Sequence, residues 1–114
     1  MKQRLLVMNG QKLLQSEHAG QWQVDKVEKA GVIRPGIYPL SAAIPADRAR
    51  AHLGVVLHAD AQFVYQHVGK TIVRHERGHF DQVPAAGNPV KIQYQQDRAV
   101  MTAATVKLGP KLSR

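Results

Sequence analysis

The sequence predicts a small, mainly β domain with short helical turns. Short apolar or β-branched runs recur at roughly ten-residue spacing and are separated by turn residues, which is typical of antiparallel sheets. Val90, Ile92 and Tyr94 alternate with polar residues, as expected of a strand with one buried face. No stretch supports a helix longer than about ten residues. These observations indicate a β-rich α+β fold.

The chain begins with a predicted hairpin. Two apolar runs, residues 4–8 and 11–15, flank Asn9 and Gly10. An Asn-Gly pair favours the two-residue type I′ turn, because both positions tolerate a positive φ angle. We therefore expect two antiparallel strands here, although the second run could also begin a helical turn.

The next segment predicts a strand followed by irregular chain. Trp22 and Val24 alternate with polar residues, which favours a strand over residues 21–24. Residues 25–30 fit either one polar helical turn or the end of that strand. Residues 34–36 predict a turn, and residues 37–38 resume an extended segment. Two prolines leave residues 41–52 as a loop with at most a short helix, because each removes an amide donor: Pro39 and Pro45.

The spacing of extended runs in the second half of the sequence predicts a barrel-like domain. Turn residues separate its extended runs, and residues 76–82 fit a single helical turn. The four predicted strands lie at residues 54–58, 63–68, 71–75 and 90–94, after which residues 96–97 turn the chain toward residues 98–106. Short strands at this spacing after a hairpin predict a small antiparallel barrel-like domain, SH3-like or OB-like. Residues 1–114 are expected to form one domain.

Composition excludes several kinds of site. The 114 residues include no cysteine, which excludes disulfides, thiolate metal sites, iron–sulfur clusters and cysteine nucleophiles. No apolar stretch reaches the roughly 18 to 20 residues of a membrane span. No glycine-rich phosphate loop or serine nucleophile motif is present. We expect a cytoplasmic protein that needs no cofactor and does not bind a membrane.

The net charge points to an anionic partner. Lysine and arginine total 16 against 8 acidic residues, a formal charge of +8. A cationic surface gains free energy on nucleic acid by releasing counterions. Both ends of the chain lack acids, over residues 1–16 and 98–114. We expect a flexible basic tail at residues 107–114 whose cations contribute to binding: Lys107, Lys111 and Arg114.

One motif suggests an enzyme. His75, Glu76 and His79 match H-E-x-x-H, in which two histidines one helical turn apart bind zinc and the glutamate is the base. The preceding residues favour a strand, and Gly78 disfavours a helix. Histidines four residues apart in a strand would lie roughly 13 Å from each other, too far for one metal. A minimal zinc hydrolase is therefore only an alternative hypothesis, and we expect a protein that is not an enzyme.

Aromatic and basic residues cluster in the second half. Small barrels bind single-stranded nucleic acid by stacking bases on aromatic rings beside cations. Phe63 and Tyr65 share one face of a predicted strand, while Tyr94 follows the inward phase of its strand. We predict that the binding surface contains these two rings and the cations near them: Phe63, Tyr65, Lys70, Arg74, Arg77 and Lys91.

The second half resembles a known family. Residues 63–70 read FVYQHVGK, residues 73–77 read VRHER, and residues 87–94 read GNPVKIQY after Val83 and Pro84. This order of elements resembles the KfrB-type domain of broad-host-range conjugative plasmids and covers about residues 52–103. The resemblance implies an accessory binding module in partition, stable inheritance or conjugative transfer. The resemblance implies no catalytic residues in this chain.

These observations lead to one hypothesis and two alternatives. The main hypothesis is a plasmid accessory module that binds nucleic acid or a DNA-associated protein. The alternatives are the zinc hydrolase and a structural or regulatory homo-oligomer. In the homo-oligomer, an exposed sheet edge would pair with another copy.

Overall fold

The first four strands form one antiparallel sheet. The computed structural model describes residues 2–103. The strand order is β3-β2-β1-β4. The strands are β1 Gln3–Met8, β2 Gln11–His18, β3 Gln21–Lys29 and β4 Gly36–Pro39.

The predicted N-terminal hairpin is confirmed. Strands β1 and β2 pair in antiparallel register from Gln3 with Ser16 to Met8 with Gln11. Asn9 and Gly10 have φ angles of 53° and 76°, as a type I′ turn requires. The helical alternatives for residues 11–15 and 25–30 are wrong, because residues 11–15 lie in β2 and residues 25–29 in β3.

A second, six-stranded sheet contains the rest of the chain. Its order is β10-β9-β6-β7-β8-β5, and β5 is parallel to β8. Single 3-10 turns lie at Leu40–Ala42 and Arg77–His79. The strands are β5 Ile44–Pro45, β6 His52–Ala59, β7 Phe63–Val68, β8 Thr71–Glu76, β9 Pro89–Gln95 and β10 Arg98–Ala103.

The mainly β class is confirmed, but the strands do not close into a barrel. Strand β4 returns to β1, so the first sheet is complete with four strands. The short strand β5 adds to the other sheet instead, where Ile44 and Pro45 align with Val73 and Arg74. Strand spacing predicted the individual elements, but these two pairings divide them between two sheets.

Two apolar clusters cover opposite faces of the second sheet. One lies between the sheets and includes Leu5 and Val7 of β1 with Leu57 and Ile72 of the second sheet. The other contains Val56, Val64, Val90, Ile92 and Ala99, covered in part by Phe80, Val83 and Ala86 of the segment after β8. Central strands β6 and β7 are therefore buried on both faces, which explains their nearly continuous apolar runs.

Close backbone contacts fix how the segments meet. A side-chain carbon on Gly54 would lie 1.9 Å from the carbonyl oxygen of His67, so only glycine fits there. Gly31 has a φ angle of +63°, and a side chain on it would contact Gly87. The amide of Val32 also donates to the carbonyl oxygen of Gly87 at 3.2 Å. These contacts attach the first sheet to the loop before β9.

No helix within residues 2–103 combines the length and the apolar character that crossing a bilayer requires.

Candidate functional site

A buried hydrogen-bond network connects four strands of the second sheet. Neighbouring strands β7 and β8 bring the fully buried Gln66 and His75 together. The Gln66 side-chain amide donates to three carbonyl oxygens at 3.0 to 3.1 Å, those of His52, Gly54 and Val90. Its oxygen accepts a 2.9 Å hydrogen bond from Nε2 of His75. The Gln66 amide thus links β7 to the backbone of β6 and β9, and both of its buried polar atoms have hydrogen-bond partners.

This network fixes the protonation state of His75. Because Nε2 donates to Gln66, the neutral ring accepts at Nδ1, where the Tyr94 hydroxyl lies 2.6 Å away. Burial, followed by the nearby His52, lowers the pKa of His75 to about 4. Burial raises the pKa of Tyr94 to about 12. The imidazole is therefore neutral and the phenol protonated at physiological pH.

A cavity of about 350 Å³ opens beside this network, where β5 lies along β8. Two guanidinium groups, an imidazole, one carboxylate and two aromatic rings surround it. We call this cavity the arginine pocket, and its lining residues are Pro45, Ala46, Arg48, Phe63, Arg74, Glu76, His79 and Tyr94.

Arg74 is held against one wall of the arginine pocket. Its guanidinium carbon lies 5.4 Å from the centre of the Phe63 ring, within the range of a cation–π contact. The same guanidinium donates a 2.8 Å hydrogen bond to the carbonyl oxygen of Ala43. Two of its neighbours thus fix the position of this charge, which reduces the entropy lost when it binds an anion.

Arg48 contributes the second guanidinium. Its Nη1 donates to the Asp97 carboxylate at 2.6 Å, and its Nη2 lies 3.4 Å from Nε2 of His79. The ion pair is exposed, so water screens it. Sequence reasoning missed Arg48 because residues 41–52 were expected to be a loop, and it is the pairing of β5 with β8 that brings this loop to the pocket.

The predicted binding residues do not form one surface. Phe63 and Arg74 line the arginine pocket. Tyr65 is only 7 % exposed and lies in the cluster between the sheets, so its proposed binding role is not supported by its position. Lys91 is exposed on β9, beside Leu53 and Thr102.

Lys70 and Arg77 lie at opposite ends of the β7–β8 hairpin. Lys70 is in the turn between these strands, roughly 20 Å along the hairpin from the pocket end. Arg77 follows Glu76 at the pocket end, but its guanidinium donates to the carbonyl oxygen of Asp60 at 2.8 Å. Lys107, Lys111 and Arg114, together with the predicted tail at residues 107–114, lie outside the described residues.

The H-E-x-x-H motif does not adopt the helix that its zinc chemistry requires. His75 lies in strand β8, whereas His79 lies in a 3-10 turn. Both ring nitrogens of His75 already have hydrogen-bond partners. Within residues 2–103, no group of three or more potential ligand side chains is arranged to hold a metal ion. The motif instead supplies His75 to the buried network and both Glu76 and His79 to the lining of the arginine pocket.

Comparison with known proteins agrees with the resemblance noted in the sequence. Residues 51–103 match the model of the KfrB domain, and they include five of the eight residues that line the arginine pocket. The chain is also 34 % identical over 96 residues to protein TraB of Escherichia coli. That match covers 82 % of this chain but 66 % of TraB, so a third of the relative lies outside it. The chain therefore carries a KfrB domain and belongs to the KfrB-type proteins.

Proposed function

We propose that the chain is a plasmid-associated binding module that holds single-stranded nucleic acid at the arginine pocket. The KfrB domain and the similarity to TraB support the plasmid association. Partition, stable inheritance and conjugative transfer are the processes that the family resemblance implies. All three involve proteins that handle plasmid DNA.

The pairing of Arg74 with Phe63 carries this proposal. Single-strand binding sites combine aromatic rings, each worth roughly 1 to 3 kcal/mol of base stacking, with cations that follow the phosphates. In the arginine pocket, the Phe63 ring has one guanidinium beside it, and Arg48 supplies a second. A volume of about 350 Å³ is within the range typical of small-ligand sites.

The pocket favours an unpaired strand over a duplex. A base stacked inside a duplex cannot insert between side chains, whereas an unpaired base can. Glu76 is the one carboxylate among the residues that line the pocket, so cationic groups outnumber it. The net charge of +8 adds a long-range attraction for any polyanion.

Fluorescence anisotropy with a labelled oligothymidine and a duplex of equal length tests the proposal. We expect tighter binding of the single strand and a steep loss of affinity between about 50 and 200 mM salt. The variant Arg74→Ala should bind about tenfold more weakly. Its dependence of log K on log salt should be shallower by about 0.7, the value for one phosphate contact.

Lys91→Ala is the matched control, because it removes one exposed cation outside the pocket. Equal losses in both variants would indicate diffuse attraction rather than a site. Equal affinity for single strand and duplex would contradict the proposal. No binding at about 50 mM salt would leave a DNA-associated partner protein as the remaining form of the binding hypothesis.

A further inference from the structure

The first sheet has an apolar face on the side away from the core. Along β1, Leu5 and Val7 point into the core, so Leu6 and Met8 point outward. The same alternation places apolar residues of all four strands on this side. We call it the outer face, and its apolar residues are Leu6, Met8, Leu13, Trp22, Val24, Val27 and Ile37.

Four of these residues form a continuous row across the sheet. Ile37 aligns with Leu6, Leu6 with Leu13, and Leu13 with Val27. The two ends of the row are 58 % and 51 % exposed. Met8 and Val24, beside the row, are 45 % and 49 % exposed. Within residues 2–103, this face is therefore open to solvent. An exposed apolar row of this kind is typical of an interaction site.

We infer that the outer face binds a second copy of this chain, so that two such sheets stack face to face about a two-fold axis. The row is nearly symmetric, with a leucine at each inner position and a β-branched residue at each end. An axis parallel to the strands, between β1 and β2, places Leu6 of one copy on Leu13 of the other. The same axis places Ile37 on Val27.

The polar groups of the outer face also fit this axis. Arg4 lies on this face over the Trp22 ring and donates to Gln15 of its own copy, and the axis places it opposite Gln15 of the other copy. The amide of Glu17 donates to the carbonyl oxygen of Lys2 at 3.0 Å, so these residues are level on neighbouring strands. The two-fold axis exchanges β1 and β2, and therefore places Lys2 of each copy against Glu17 of the other. Two opposite-charge pairs would form, and this complementarity sets the register of the two sheets.

Pairing through the β3 edge of this sheet is less favourable. Edge strand β3 carries Asp25, Lys26, Glu28 and Lys29, and its register with β2 is interrupted between Leu14 and Gln15. Charged residues and bulges are the features that prevent edge-to-edge pairing. A homo-oligomer is therefore more favourable through the outer face than through the β3 edge.

The size of the outer face predicts a weak dimer. Four strands about 4.8 Å apart and six residues of about 3.3 Å each give roughly 400 Å² of flat area. Stable interfaces bury about 800 Å² per partner. We therefore expect a dissociation constant on the order of micromolar or weaker.

Sedimentation velocity over a concentration series tests this inference on the full chain. We expect the mass to rise from 12.6 kDa towards twice that value. Trp22 is the single tryptophan and lies on the outer face, so its emission should shift to shorter wavelength over the same concentrations. Leu13→Asp and the more exposed Ile37→Asp should each weaken association at least tenfold.

Leu53→Asp is the control, because Leu53 is an equally exposed apolar residue, 60 % exposed, in the other sheet. It should leave the dimer unchanged. Lys2→Glu should weaken association, and adding Glu17→Lys should restore it. A chain that stays monomeric at about 1 mM would overturn the inference. So would association that Ile37→Asp leaves intact. Nucleic-acid binding at the arginine pocket is measured separately and does not bear on either result.

Discussion

The Tyr94 hydroxyl donates a 2.6 Å hydrogen bond to Nδ1 of His75, joining a wall of the arginine pocket to the buried network of the second sheet. Through Gln66, that network reaches backbone carbonyls of β6 and β9. The position of the Tyr94 ring in the pocket therefore depends on interactions beneath it.

Removing this hydroxyl should reduce stability while leaving the pocket wall in place. In Tyr94→Phe, Nδ1 of His75 becomes a buried acceptor with no partner, which costs about 1 to 3 kcal/mol. Urea denaturation measures the loss. Tyr38→Phe is the control, because its hydroxyl donates to the exposed carbonyl oxygen of Arg34, which water can hydrate instead. Equal losses in the two variants would show that the buried hydrogen bond contributes no more to stability than the exposed one.

The buried imidazole predicts that the protein loses stability as the pH falls. The pKa of His75 is about 4 in the folded chain and near 6.5 when unfolded. Between these values the unfolded chain binds the additional proton, so acid favours unfolding. We expect a loss of about 2 kcal/mol between pH 7 and pH 5.

Urea denaturation at a series of pH values checks this dependence. Burial also lowers the pKa of His58, which contributes in the same direction. His75→Asn should be less stable at pH 7 but should lose less on acidification. A free energy of unfolding that stays constant between pH 7 and pH 5 is incompatible with a buried neutral His75.

The ion pair between Arg48 and Asp97 should limit the affinity of the pocket. Asp97→Asn removes the carboxylate that lies 2.6 Å from Nη1 of Arg48, leaving this guanidinium available to a phosphate. We expect several-fold tighter binding of oligothymidine and a salt dependence that is steeper by about 0.7. Anisotropy titrations measure both quantities. Asp81→Asn gives the same change in net charge by breaking the exposed ion pair with Arg98, outside the pocket, and should have a smaller effect. Equal effects would mean that binding occurs outside the pocket.

Gly54 should be intolerant of any side chain. In Gly54→Ala the added carbon would meet the His67 carbonyl oxygen at 1.9 Å, so β6 and β7 would have to separate. We expect a loss of about 3 kcal/mol or more. Gly78→Ala meets no atom within 4 Å and should be nearly neutral. Thermal unfolding compares the two, and a stable Gly54→Ala protein would mean that the pairing of these strands is looser than the structure indicates.

Local patterns in the sequence predicted the elements well. The Asn9–Gly10 turn, the strand at residues 63–68 and the alternation of Val90, Ile92 and Tyr94 all match the structure. Each depends on turn chemistry or on alternation within a few residues. The grouping of strands into two sheets depends on contacts distant in the chain, such as that of Gly31 with Gly87, and no local pattern encodes it.

The site was predicted only in part for the same reason. Phe63 and Arg74 were found because they carry suitable chemistry on neighbouring strands. Arg48 was missed because a two-residue parallel pairing brings its loop to β8. Tyr65 was misplaced because its strand is buried on both faces, and alternation cannot show which side of such a strand contacts solvent.

Residue-resolved NMR of the labelled chain, titrated with oligothymidine, measures most directly whether the arginine pocket is the binding site. The pocket predicts saturable shifts that are largest for Phe63, Arg74, Glu76 and His79, together with the side chain of Arg48. The chemical shifts of residues on the outer face should remain unchanged apart from any effect of dimerisation. Two results would contradict single-strand binding at this site. One is chemical-shift changes scattered over the basic surface, and the other is changes concentrated around Lys70 and Lys91 with none at the pocket residues.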